Sequence, residues 1–143
     1  MTAKQVSIFL ENRAGRLAEV TRLLGDRGIN IRALSLADTA DFGILRILVN
    51  DVETAVALLK QEGLTVRQTD VVAAEVPDRP GGLAHLLEIL SGEGINVEYM
   101  YAFVRSRAES AIMIFRFDET QKAVEVLSRH GVRILPEDEL YRM

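Results

Sequence analysis

The chain repeats itself, and the length of the repeat limits what it can become. Asn12-Arg13-Ala14-Gly15-Arg16-Leu17-Ala18 recurs 66 positions later as Asp78-Arg79-Pro80-Gly81-Gly82-Leu83-Ala84. At the same offset, Gly28-Ile29-Asn30-Ile31 recurs as Gly94-Ile95-Asn96-Val97. Across residues 12–31 against 78–97, eight of twenty positions are identical. Ile44 to Gly63 matches Ile112 to Gly131 at an offset of 68, with five of twenty identical. The change of offset places a two-residue insertion between Asp38 and Ile112, in a hairpin loop near Arg105–Glu109. Two copies of about 70 residues are too few for a solenoid and fit a pair of related small domains, 1–69 and 70–143.

Each copy reads as the same series of elements. The first strand spans Gln5 to Leu10, with Val71 to Val76 as its counterpart. A helix from about Gly15 to Arg27 buries Leu17, Val20, Leu23 and Leu24. Its copy places Leu83, Leu86, Leu87 and Leu90 at i, i+3, i+4 and i+7. Gly28 and Gly94 follow as left-handed stops. Extended runs come next, Asn30 to Asp38 and Asn96 to Val104, then strands Gly43 to Val49 and Ser110 to Phe117. The second helix buries Val52, Ala55, Val56 and Leu59; its copy buries Ala123, Val124 and Leu127, and Gly63 and Gly131 end the two. Fourth strands fall near Thr65–Gln68 and Val132–Leu135. Thr65 to Val76 is one extended stretch, so the fourth strand of the first copy should run almost directly into the first strand of the second.

The order βαββαβ, with right-handed crossovers, gives an α+β fold. Each copy is a ferredoxin-like sandwich, an antiparallel sheet with both helices on one face. The other face needs cover as well. Tyr99, Tyr101 and Phe103 alternate with Met100, Ala102 and Val104, so both sides of that strand are apolar. Cover from the sister domain or from a second chain is expected, and domains this small gain from association.

Composition removes several function classes. The chain has no cysteine, which excludes disulfides, thiolate metal sites and thiol nucleophiles. Net charge is −4. Residues 1–70 hold nine basic and nine acidic residues, so the excess lies in the second half. Interspersed charge of that sign argues against nucleic acid as a partner. An RNA-recognition module on the same frame would also need aromatics on its first strands, where Phe9 stands alone. No apolar run of about 18 residues is present and the first residues do not resemble a signal peptide, so no membrane association and a cytoplasmic location are expected. His85 and His130 lack metal-ligand spacing and read as solvated or helix-capping residues. No metal or cofactor is expected. Gly25-Asp26-Arg27-Gly28 and Ser91-Gly92-Glu93-Gly94 end helices, whereas a phosphate loop precedes one. Glu137-Asp138-Glu139 reads as a solvent-facing acidic tail.

The most specific local signal is the loop between first strand and first helix. Gly15 and Gly81 permit a tight turn, and the helix start behind them favours a carboxylate. Asn12 offers both donors and an acceptor, which suits a zwitterion. A loop that merely caps its helix is the plainer reading of the same residues.

The pattern Asn12-Arg13-x-Gly15-x-Leu17 followed by Gly28-Ile29-Asn30-Ile31 resembles the ACT domain. Asp78-Arg79-Pro80-Gly81-x-Leu83 with Gly94-Ile95-Asn96-Val97 resembles it further in its Arg-Pro-Gly. The likeness covers nearly the whole chain, twice, and is nearest to stand-alone tandem ACT proteins of bacteria. It implies a non-catalytic regulatory sensor for a free amino acid, bound where paired domains meet. The implied ligand-binding residues are Asn12, Arg13, Ala14, Gly15, Arg16, Leu17, Asn30 and Ile31 in the first copy. In the second they are Asp78, Arg79, Pro80, Gly81, Gly82, Leu83, Asn96 and Val97. The first copy is the favoured binder because its Asn12–Asn30 pair is intact, whereas Asp78 would repel a carboxylate. A homodimer and a regulated enzyme of amino-acid or aromatic-acid metabolism are the implied partners. The alternative is an acylphosphatase-like hydrolase on the same ferredoxin-like frame, using Arg13 or Arg79, although the multi-glycine phosphate cradle is missing.

Overall fold

The computed structural model describes residues 1–38, 41–103 and 109–142. The insertion near Arg105–Glu109, and Val104 with it, therefore lies largely outside the described residues. The chain divides into two compact units, Lys4–Thr69 and Asp70–Met143 with Met1–Ala3.

In the first unit, β1 (Ala3–Glu11), α1 (Arg16–Asp26), β2 (Ile31–Asp38), β3 (Phe42–Val49) and α2 (Val52–Gln61) lead into β4 (Thr65–Pro77). The strands follow the order β2-β3-β1, with β4 next to β1. β3 pairs antiparallel with both neighbours: Ile8 faces Leu45 and Leu34 faces Ile47. Alternation along the strands sends Val6, Ile8 and Leu10 to the same side as Leu45, Ile47 and Val49. There they meet Val20 and Leu24 of α1 and Ala55, Val56, Leu58 and Leu59 of α2 in one core. Leu17, expected in the buried stripe, is 37% exposed because it sits in the first turn of α1, beyond the edge of that core.

β4 is a single strand, as the unbroken extended stretch from Thr65 suggests, and the division between units falls inside it. The second unit continues with α3 (Gly82–Gly92), β5 (Val97–Ala102), β6 (Ser110–Phe117), α4 (Thr120–Arg129), β7 (Ile134–Leu135) and α5 (Glu137–Arg142). β4 lies between β6 and β7, and β6 between β4 and β5, all antiparallel. Val72, Ala74, Phe115 and Phe117 pack under Leu86 and Leu90 of α3 and Ala123, Val126 and Leu127 of α4. The Phe115 and Phe117 rings stack with centroids 5.4 Å apart.

Both units are thus α+β ferredoxin-like sandwiches with their helices on one face. The helix-free faces also hold buried residues: Gln5, Ser7, Ala33 and Leu48 in the first unit, and Val71, Ala73, Tyr101 and Ile114 in the second. Gln5 and Ser7 satisfy each other through an Nε2–H to Oγ hydrogen bond of 3.1 Å.

Two expectations need correction at the C-terminus. The last strand has only two residues instead of four, because it starts late: the Val132 N–H still closes the end of α4 on Leu127 O at 3.0 Å and does not enter the ladder. Glu137-Asp138-Glu139 is not a tail but the first turn of α5, where acidic side chains suit the helix dipole; Asp138 faces solvent as expected, while Glu137 and Glu139 are partly buried. Leu140 anchors that helix in the interior, and Glu139 chelates Arg133 at 2.8 and 2.9 Å. Burial, with a hydrogen bond to Glu137, pushes the Tyr141 hydroxyl to a higher pKa than usual.

Candidate functional site

The two β-to-helix turns are built bond for bond alike. Asn12 N–H donates to Asp41 O and Asp78 N–H to Glu109 O, both at 2.8 Å. Arg13 N–H reaches Glu11 O as Arg79 N–H reaches Pro77 O, both at 3.0 Å. Arg16 N–H bonds Arg13 O, and Gly82 N–H bonds Arg79 O. The residue before each helix is a glycine in the left-handed region, Gly15 at φ 86° and Gly81 at φ 85°, and neither helix start is capped by a side chain. The first-turn N–H groups of α1 and α3 therefore have no side-chain acceptor supplied at the cap.

The other implied residues lie elsewhere in each unit. Leu10 pairs with Gly43 at one end of β3, and Ile31 with Val49 at the other. Six residues of strand separate them, about 20 Å. Asn12 and Asn30 of one copy therefore cannot hold one small molecule together. The same holds for Asp78 and Asn96, since Pro77 pairs with Ser110 and Val97 with Phe117.

Sequence reasoning missed what positions Asn30 and Asn96. Their backbone N–H groups donate to Asn50 Oδ1 at 2.9 Å and to Asp118 Oδ1 at 3.0 Å. The signal was present as an Asn or Asp two residues before each second helix, a position where such side chains bond nearby backbone.

The turns differ in their side chains. In the first copy Arg16 lies 3.0 Å from both Glu11 and Glu19, and Arg13 lies 3.5 Å from Glu11 and 3.9 Å from Glu19. These carboxylates beside Arg13 make a poor cradle for a phosphate. In the second copy Gly82 stands where Arg16 does. A Cβ on Gly82 would fall 2.1 Å from Pro77 O, so the turn closes more tightly there than any side chain allows. Beside it a cavity of about 290 Å³ opens, lined among others by Gly82, His85, Ser110, His130 and Arg133. The counterpart in the first copy measures about 120 Å³ and is lined by Arg16, Glu19 and Glu62 among others. His130 is the C-cap of α4, as its place before Gly131 suggested, and its Nδ1–H donates to Val126 O at 2.8 Å.

The doubled turn, on a doubled ferredoxin-like frame, matches a known family over its whole length. The family model for an ACT domain pair covers residues 1–143. The chain belongs to this ACT domain pair family. Among solved structures it is similar to protein BT0572 of Bacteroides thetaiotaomicron, at 44% identity, covering 100% of this chain and 98% of that one with a TM-score of 0.93. The regulatory subunit of aspartate kinase from Thermus thermophilus, in a ligand-free form, shares the fold at 15% identity, 88% and 91% coverage and TM-score 0.66. Aspartate kinase from Synechocystis does so at 20% identity and TM-score 0.61; the match covers 94% of this ACT pair and 27% of that chain. A search of curated proteins returns no match.

Proposed function

We propose that this ACT pair is a non-catalytic regulatory sensor that binds a free amino acid through its β-to-helix turns. The observation that carries the reading is the repetition of one turn in both copies. Each sets a left-handed glycine before an uncapped helix start, and that start favours a carboxylate. The likeness to a kinase regulatory subunit adds support, since the protein in that structure is described as regulatory and as having a ligand-free form. The proposed contact residues are those of the two turns, Asn12 to Leu17 and Asp78 to Leu83, with Asn30, Ile31, Asn96 and Val97 contributed across domain boundaries. The domains are 1–69 and 70–143, working in the cytoplasm.

A homodimer is part of the proposal. β2 stands at the end of the strand order, and an edge strand offers unpaired backbone groups. Leu34 and Leu36 on that strand are 44% and 52% exposed. Ligand at an interface shifts quaternary arrangement when its affinity differs between the two states, and such a shift would be read by a regulated enzyme of amino-acid metabolism. Calorimetric titration with each of the twenty common amino acids tests the reading. Saturable heat with at least one of them, accompanied by a rise in melting temperature, is expected. Silence from all twenty in both measurements would remove it.

A further inference from the structure

The two copies invite comparison position by position, because their turns share the same hydrogen bonds. Arg16, Glu19 and Glu62 of the first copy correspond to Gly82, His85 and His130 of the second. In the first copy the arginine fills the space between helix start and helix end, pairing with Glu19 and Glu11, and about 120 Å³ remains. In the second copy the arginine is gone and both glutamates are histidines. The space grows to about 290 Å³, near the lower bound of ordinary small-molecule pockets, about 300 Å³.

The chain has two histidines, and both line this cavity. His130 gives its Nδ1–H to a carbonyl, so in the neutral ring Nε2 is left as an acceptor for an N–H. Arg133 is held by Glu139 at 2.8 Å and by Glu75 at 3.3 Å, which fixes a cation and a carboxylate on the cavity wall. Gly82 at the start of α3 puts no side chain into the space, although its own N–H is taken by Arg79 O and that of His85 by Gly81 O. Leu86 and Val132 supply apolar lining. A carboxylate and imidazoles that suit an ammonium, a guanidinium that suits a carboxylate and an apolar wall thus surround one small volume.

We infer that this cavity of the second copy, walled by Gly82, His85 and His130, is a self-contained site for an α-amino acid, and that its counterpart in the first copy is narrowed below the size of such a ligand by Arg16 and its ion pairs. The inference rests on the amino-acid-sensor reading and narrows it. It moves the binder from the first copy, favoured for its asparagines, to the second, and needs no residue from another unit.

With two histidines in the chain, the imidazole Cε1–H region of a carbon–proton correlation spectrum holds two signals. Titrating the intact protein with each of the twenty amino acids should move both signals together and saturably for any that binds by calorimetry. His85→Ala and His130→Gln should each raise that Kd at least tenfold, with far-ultraviolet circular dichroism unchanged. Glu19→Ala and Glu62→Ala, the counterparts in the first copy, should change it less than twofold. Saturable binding that leaves both imidazoles unmoved, or that survives both histidine substitutions, overturns the cavity while leaving the sensor reading in place. Absence of binding by every amino acid overturns both.

Discussion

At the scale of single residues, two glycines at the starts of α1 and α3 matter for opposite reasons. Gly15 lies at φ +86° with open space where a Cβ would be, so Gly15→Ala should cost only left-handed strain, about 1–2 kcal/mol. Gly82 has no such backbone demand, but its Cβ would meet Pro77 O at 2.1 Å. Gly82→Ala should therefore cost more, about 3 kcal/mol, because backbone must move. Chemical denaturation of the two variants side by side checks the order. Capping differs between copies in a similar way. Asp51 accepts the Thr54 N–H at 3.2 Å, whereas Glu119 caps α4 with no side-chain bond. Hydrogen bonding to Thr54 holds the Asp51 carboxyl below its ordinary pKa of 3.8. Its folded value being depressed, its stabilising effect is fully present above the unfolded value and disappears as pH falls through the folded one. Asp51→Ala should lower the melting temperature by a few degrees at pH 7. That difference should shrink in melts taken progressively below pH 4.

At the scale of elements, the periodicities of helix and strand carried most of the information. Leu83, Leu86, Leu87 and Leu90 share a helical face, and Leu86 and Leu90 are indeed buried under it. The corresponding leucines at the ends of α1 and α3, Leu24 and Leu90, are 0% and 1% exposed. Leu24→Ala and Leu90→Ala should each cost about 2–5 kcal/mol, measured by equilibrium unfolding. Leu17 fits the same pattern in sequence yet is exposed, since periodicity says which face a residue takes and not whether the core extends that far. The short β7 and the helix α5 were illegible for a related reason. Glu137-Asp138-Glu139 is polar, and what makes it a helix is one buried leucine and an arginine from the preceding loop, neither of which announces itself locally.

At the scale of the whole molecule, the repeat is the organising fact. If the exposed β2 edge pairs with a second copy, Leu36→Asp should shift the protein from dimer to monomer in sedimentation velocity without unfolding it. A wild-type protein that is already monomeric at high micromolar concentration would contradict the homodimer. The sequence alone determined the duplication, the order βαββαβ, the continuity of β4 and the glycine-turned helix starts. Each of these follows from residue spacing and backbone preference, which act over a few neighbours. Only the folded chain decided that Asn12 and Asn30 sit at opposite ends of one sheet. It also decided that Arg16 occupies a space which Gly82 leaves open, and that His85 and His130 share one cavity. Those facts join residues far apart in sequence, and the packing that brings them together has no local signature to read.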